Sequence, residues 1–287
     1  MLLRELQIEL AGVCNIACTY CTWQDRVTGK GLMERKLAHR LLDEVIAMKN
    51  RPLLTLHGVG EPTLHPDLMY ILGKARFYAL PIRLSTNCIK IDAYFIDMVR
   101  QMDNLMLSLA LHQGVPMKTR LRAEEHALDY LSTKPENRAV EILIVCDHLG
   151  SPAAARIVEK FLPLIERMPN ARINLKQPQT WPRSPPIKGH IPGPPDVPIH
   201  PQVFIDTVQT PRSLGRDCHM PEYLMNVQTD GTVSLCCVGE EDWKLPKIQD
   251  TTIEELWNSA HVVSARQKFY EKNDDLPCGH CQKRTDC

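Results

Sequence analysis

The residues best suited to chemistry in this sequence are cysteines, and their spacing sorts them into two sets. Cys14, Cys18 and Cys21 fall in the stretch CNIACTYC, directly after the alternating run RELQIEL. Three thiols at CxxxCxxC spacing can grip a metal or a cluster. A closed zinc site, or a cubane held only by protein, needs a fourth ligand. The second set is Cys218, Cys236, Cys278 and Cys281, ending in a CxxC pair. Four thiolates close a site, and zinc and a cubane cluster are both consistent with them. Eleven cysteines, clustered towards the two ends of 287 residues, read as ligands rather than disulfides in a reducing compartment.

Charge narrows the class. Lys and Arg number 34 against 34 Asp and Glu, which argues against wholesale electrostatic binding to nucleic acid or an anionic membrane. There is no apolar run long enough to span a bilayer, and MLLRELQIEL carries charges where a signal peptide would be apolar. A soluble, cytoplasmic protein is expected.

The elements that must position these cysteines alternate in type. Runs of β character stand at 3–10, 53–58, 81–87, 104–110, 140–146 and 172–176, with helical patterns between them. In MERKLAHRLLDEVIAMK, Leu37, Leu41, Val45 and Met48 share one helical face, and further helices begin at Pro66, Asp92, Thr119 and Ser151. Six βα repeats imply an α/β fold with a parallel sheet, doubly wound or an incomplete barrel. Either arrangement gathers functional loops at the C-terminal ends of strands, where CNIACTYC stands. Residues 177–216 are proline-dense and read as a linker or a lid. Beyond them, YLMNVQTDGTVSLCC has a hairpin signal at Asp230-Gly231, and IQDTTIEELWNSAHVVSARQKFYEK reads as one helix opened by a Thr252 cap.

CxxxCxxC in the first βα loop, with Tyr20 just before the last cysteine, resembles the signature of the radical S-adenosylmethionine (SAM) superfamily. The resemblance covers about 1–176 and implies a partial (β/α)6 TIM-like barrel. It also implies a [4Fe–4S] cluster on Cys14, Cys18 and Cys21 whose open iron is chelated by the amino and carboxylate groups of SAM. One electron would then cleave SAM to a 5′-deoxyadenosyl radical that abstracts hydrogen from substrate. GVGEP (58–62) resembles the family's GGEP segment, which assigns Val59, Gly60, Glu61 and Pro62 to SAM binding alongside Tyr20. Ser85-Thr86-Asn87 resembles the S/T-N segment, and the resemblance adds Asn87 to the SAM-binding residues. Ser108 matches a serine that meets the ribose, and Arg122 is placed for the SAM carboxylate.

The second set, as C-x12-G-x4-C followed by CxxC, resembles the truncated SPASM, or Twitch, domain. This implies a small α+β domain at 217–287 with an auxiliary [4Fe–4S] cluster on Cys218, Cys236, Cys278 and Cys281. Two clusters and SAM are therefore the expected cofactors. Cys237 is a ligand in place of Cys236, a hydrogen-atom donor or a small apolar residue, and Cys287 reads as a free thiol. Candidate catalytic groups are Cys237, Cys146 and His112, with Cys88, His57, Asp147 and His148 also at strand ends.

Hydrogen abstraction can end in oxidation, epimerisation or rearrangement, and oxidation of a polar C–H is the favoured outcome. Relatives with a Twitch domain act on aminocyclitols and aminoglycosides, and SPASM relatives modify ribosomal peptides. The substrate expected is a small molecule or nucleoside, with a flavodoxin- or ferredoxin-type electron donor and no membrane partner. Nucleic acid is the less favoured partner. It rests on Arg172, Lys176, Arg183, Lys188, Arg212 and Arg216 outnumbering Asp196 and Asp206, and on Trp181 as a stacking residue. The rival of a different class is a zinc-stabilised binding protein.

Overall fold

The computed structural model of the chain describes residues 1–21, 29–133, 139–146, 152–176, 200–206, 219–236 and 243–271. In chain order these form β1 (Glu5–Ile8), β2 (Ala11–Gly12), β3 (Gly31–Leu32), α1 (Arg35–Ala47), β4 (Leu53–Leu56), α2 (Leu68–Phe77) and β5 (Ile82–Thr86). Next come α3 (Ala93–Arg100), β6 (Leu105–His112), α4 (Met117–Ser132), β7 (Ala139–Val145), α5 (Pro152–Ile165), β8 (Ala171–Lys176) and β9 (Val203–Asp206). The remainder holds α6 (Met220–Tyr223), β10 (Leu224–Val227), β11 (Val233–Ser234), α7 (Ile253–Trp257) and α8 (Ala260–Tyr270). No helix among the described residues is long and apolar enough to cross a membrane.

The chain forms two compact units, one of residues 1–14, 22–82 and 209–287, the other of 15–21 and 83–208. In the first, the strand order is β11-β10-β1-β4. β1 pairs in parallel with both β4 and β10, while β10 and β11 make the expected antiparallel hairpin. Alternation along each strand divides the two faces chemically. Ile8, Leu56, Val227 and Val233 share one register row, and Gln7, Thr55, Asn226 and Ser234 share the next. All eight are buried, so one side is oily and the other is a buried polar row. Hydrogen bonds satisfy part of that polar row: Thr55 Oγ1 donates to Glu5 Oε1 at 2.6 Å and Asn226 Nδ2 to Ser234 Oγ at 3.1 Å.

In the second unit the order is β5-β6-β7-β8-β9, with β6 to β9 parallel. Leu107, Leu109 and Leu111, with Ile142, Ile144, Ile173 and Leu175, are buried on one face, and α4 and α5 pack on β6 and β8. The opposite face carries Ser108, His112, Glu141 and Arg172. This division fits parallel strands that put helices on one side and keep polar groups for the other.

Three expectations need correction in detail. The α1 stripe is Ala38, Leu41, Leu42 and Val45, whereas Leu37 and Met48 are only half-buried. Burial is set by a stripe about 100° wide, which takes two adjacent leucines instead of a strict i, i+4 row. α2 and α4 begin at Leu68 and Met117 rather than at Pro66 and Thr119. The predicted single helix after Thr252 is two. Thr252 does cap α7 through a reciprocal capping box with Glu255, but Ser259 then opens α8 by accepting from Val262 N. A Ser in mid-pattern competes for the backbone as a cap, and here it wins. The start of α7 is also served by α1, because Ile253 N donates to Glu44 Oε2 at 2.7 Å.

Candidate functional site

The cysteine loop is held in the second unit by its own backbone and by three neighbouring segments. Cys21 N donates to Cys18 O at 3.1 Å, closing a turn, and Thr19 N donates to Gly114 O at 3.0 Å. Cys18 and Tyr20 are buried with Val145, and Ile16, Cys21, Val115 and Leu143 surround them. A Cβ at Gly114 would stand 2.5 Å from Tyr20 Cε1, so the loop after β6 admits the tyrosine ring only because residue 114 has no side chain. Tyr20 Oη lies 2.9 Å from His112 Nδ1 and also points at Val145 O, 3.4 Å away. Burial by its neighbours pushes the His112 pKa down to about 4, so the imidazole is neutral near pH 7 and can accept the phenol proton at Nδ1.

Asn87, at the end of β5, reaches the same loop. Its Nδ2 donates to Asn15 Oδ1 at 2.7 Å while its Oδ1 accepts from Ile89 N at 3.1 Å. Cys88 follows with φ of 65°, a left-handed conformation seldom held by a residue with a side chain. Its thiol donates to Thr86 O and its carbonyl accepts from His126 Nδ1 at 2.7 Å. Cys88 and Cys146 are both buried.

In the first unit, Cys14 is half-buried and the G-V-G-E-P segment forms a pinned turn after β4. Glu9, at the end of β1 and 2% exposed, accepts from Val59 N at 2.7 Å. Glu61 N donates to Val13 O at 2.8 Å. A Cβ on Gly60 would overlap the Ala11 carbonyl and stand 2.7 Å from Val13 O. The glycine that the resemblance places at Gly60 is thus required by close backbone approach. Val59 is not among the described residues with positive φ, so this position does not call for glycine. The Glu61 carboxylate accepts from both Thr63 N (3.0 Å) and Thr63 Oγ1 (2.6 Å), and Pro62 opens the short helical turn Pro62–Leu64.

The other expected contacts are placed as follows. Ser108 Oγ donates to Glu141 Oε2 at 2.9 Å, and Glu141 Oε1 takes Arg172 Nε and Nη2 at 3.0 and 2.9 Å. Arg122 is exposed on α4, beside Lys118, Glu125 and Asp129. His57 is half-buried beyond β4. In the hairpin, the Cys236 carbonyl accepts from Ser234 Oγ at 2.7 Å. Cys218, Cys237, Cys278, Cys281 and Cys287 lie outside the described residues, as do Asp147, His148, Trp181, Arg183, Lys188, Asp196, Arg212 and Arg216. Glu9 and Asn15 are the residues that sequence reasoning passed over. Glu9 reads only as one charge in an alternating strand, and Asn15 only as filler between cysteines.

The donor set fits an iron–sulfur cluster. Residues 14–21 offer three thiols and neither carboxylate nor imidazole. Among the described residues, no three His, Cys, Asp or Glu side chains converge as ligands of a single metal ion. In a cubane each thiolate binds its own iron.

Residues 218–282 match the SPASM family, described as an iron-sulfur cluster-binding domain. A tungsten-containing aldehyde ferredoxin oxidoreductase cofactor-modifying protein of Pyrococcus furiosus is 27% identical over 85 residues, which are 30% of this chain and 24% of that protein. The match thus spans about a quarter of that relative's length. Among solved structures, BtrN in complex with AdoMet and 2-DOIA superposes over 96% of this chain and 92% of its own, with a TM-score of 0.60 at 14% identity. Streptococcus suis SuiB bound to S-adenosylmethionine covers 98% of this chain and 72% of its own, with a TM-score of 0.66 at 14% identity. The three-cysteine loop after β1, the partial-barrel fold shared with these structures and the SPASM match at 218–282 together make this chain similar to radical SAM enzymes that carry an iron–sulfur SPASM domain.

Proposed function

We propose that the chain cleaves SAM reductively and abstracts a hydrogen atom from a carbon bearing oxygen or nitrogen, leading to oxidation of a sugar, aminocyclitol or nucleoside-type substrate. Cys14, Cys18 and Cys21 would hold the SAM-binding [4Fe–4S] cluster. When bound, that cluster supplies an iron open to the amino and carboxylate groups of SAM and the electron for its cleavage. The observation that carries the reading is the anchoring of the loop with its thiols: Cys18 and Tyr20 are buried, Thr19 is tied to Gly114, and Tyr20 to His112. A loop built only to cover the sheet would not need its middle buried.

The turn at 58–62 supports SAM binding by its polarity. The amides of Val59 and Glu61 are already engaged by Glu9 and Val13. The carbonyl oxygens of the turn suit an ammonium. Cys218, Cys236, Cys278 and Cys281 would hold the auxiliary cluster, as a conduit for the electron left after proton loss. Burial of Cys88 and Cys146 disfavours these two as the thiol that returns hydrogen in an epimerisation, because such a thiol must be reprotonated from solvent. A flavodoxin- or ferredoxin-type protein is the proposed donor.

Anaerobic reconstitution with iron and sulfide tests the reading. About eight irons per chain are expected from two cubanes, and dithionite with SAM should yield 5′-deoxyadenosine. Alanine at Cys14, Cys18 and Cys21 together should abolish cleavage and leave about four irons. Tightly bound zinc without visible charge-transfer absorption would refute it.

A further inference from the structure

We propose that Asn87 is a positioning residue for the cysteine loop, acting through Asn15, the neighbour of Cys14 in the chain. The functional consequence rests on the reading of Cys14, Cys18 and Cys21 as cluster ligands; the clamp itself does not. The Asn87 amide has one orientation consistent with both partners. Its oxygen accepts from Ile89 N, so its nitrogen faces Asn15 Oδ1 at 2.7 Å and donates. Asn87 is 5% exposed, so its amide is held by packing as well as by hydrogen bonds.

The backbone beyond it is built to keep that amide in place. Cys88 N donates to Thr86 Oγ1 at 3.2 Å, its thiol to Thr86 O, and His126 Nδ1 on α4 donates to Cys88 O at 2.7 Å. These contacts hold Cys88 at φ of 65°, a conformation that a β-carbon disfavours and that surrounding structure must impose. The result is a continuous connection from α4 through the β5 turn to the loop: His126, Cys88, Asn87, Asn15. With Thr19 on Gly114 and Tyr20 on His112, the loop is tied to the end of β5 at one side and the end of β6 at the other. In this arrangement Asn87 fixes Asn15, the residue next to Cys14 in the chain, and that is a different task from touching SAM.

Hydrogen bonding has a direction here, and substitutions can read it. Asn15→Asp keeps an oxygen acceptor for Asn87, whereas Asn87→Asp replaces the donor by a carboxylate facing that oxygen. Amide hydrogen exchange in the full-length, iron-free chain is the first measurement. Asn87→Asp and Asn15→Ala should each speed exchange at Thr19 and Cys21 about five- to tenfold. Asn15→Asp should behave as wild type. Cys88→Gly should also leave exchange unchanged, since glycine takes the same turn without strain.

The second measurement uses the reconstituted chain and SAM. Asn87→Asp and Asn15→Ala should shift the electron paramagnetic resonance signal of the reduced cluster alike, and the double variant no further. Weaker SAM binding in Asn87→Asp, with exchange unchanged and Asn15→Ala silent, would overturn the proposal and make Asn87 a SAM contact. Equal exchange in all variants would overturn it as well. A chain that takes up no iron would instead refute the cluster reading, while the exchange data still decide the clamp.

Discussion

Tyr20 Oη lies 2.9 Å from His112 Nδ1, joining the residue before the last cysteine of the loop to the final residue of β6. A neutral imidazole can accept the phenol proton at Nδ1, whereas an imidazolium, having no lone pair there, could only donate to the phenol oxygen. Burial that lowers the His112 pKa therefore serves the same hydrogen bond that anchors the loop. Tyr20→Phe should cost about 1 kcal/mol in urea unfolding, the worth of one such bond.

The same imidazole sets a pH dependence. Its pKa falls from 6.5 to about 4 on folding, so between these values the unfolded chain takes up a proton that the folded chain refuses. Stability is complete above about 6.5 and declines as the pH drops through the window, by about 3 kcal/mol at its end. His112→Gln keeps an acceptor for Tyr20 and does not titrate. Urea midpoints at pH 7.5 and pH 4.5 should fall further for wild type than for the variant. Equal falls would show that His112 is not the titrating group.

Ser108, Glu141 and Arg172 sit in one register row of three neighbouring strands, and their side chains form a chain of hydrogen bonds. Removing the buried carboxylate leaves a solvated guanidinium and an unserved buried hydroxyl, so Glu141→Ala should cost about 1–3 kcal/mol. Ser108→Ala should cost about 1 kcal/mol while leaving SAM affinity within a factor of about two. A larger loss of SAM affinity at unchanged stability would mean that the serine hydroxyl leaves Glu141 for the ribose.

Much of this was legible in the sequence because strands and helices write their periods directly. Leu107, Leu109 and Leu111 alternate with Ser108, Ala110 and His112, and the two faces of β6 follow that alternation, although Ser108 and Ala110 are buried as well. The hairpin followed from Asp230-Gly231, and Gly231 does take a positive φ of 79°. The contacts that shape the site were not legible, for a physical reason. Asn87 meets Asn15 across 72 positions and Glu9 meets Val59 across 50, and neither pair repeats with any period. Hydrogen bonds between single side chains leave no pattern in hydrophobicity, so a buried Glu9 looks like any solvated charge in its strand. The division of the helix at Ser259 was missed because a cap signal inside an apolar pattern competes with it locally.

Glu9 gives the sharpest test of how the turn at 58–62 is held. Its carboxylate accepts from Val59 N, and a Cβ on Gly58 would overlap that carboxylate. Glu9→Ala leaves the half-buried Val59 amide without this acceptor and should cost about 1–2 kcal/mol in stability. It should also weaken SAM binding about tenfold, since the turn loses the acceptor that orients its carbonyls. Glu9→Gln retains an oxygen at the same place and should recover most of both. Gly58→Ala acts on the same contact from the other side, by displacing the carboxylate. Combined with Glu9→Ala it should therefore add less than about 0.5 kcal/mol, whereas independent sites would sum. Iron content should stay unchanged throughout, because none of these residues is a proposed ligand. Full additivity in the double variant would show that Gly58 and Glu9 support the turn separately.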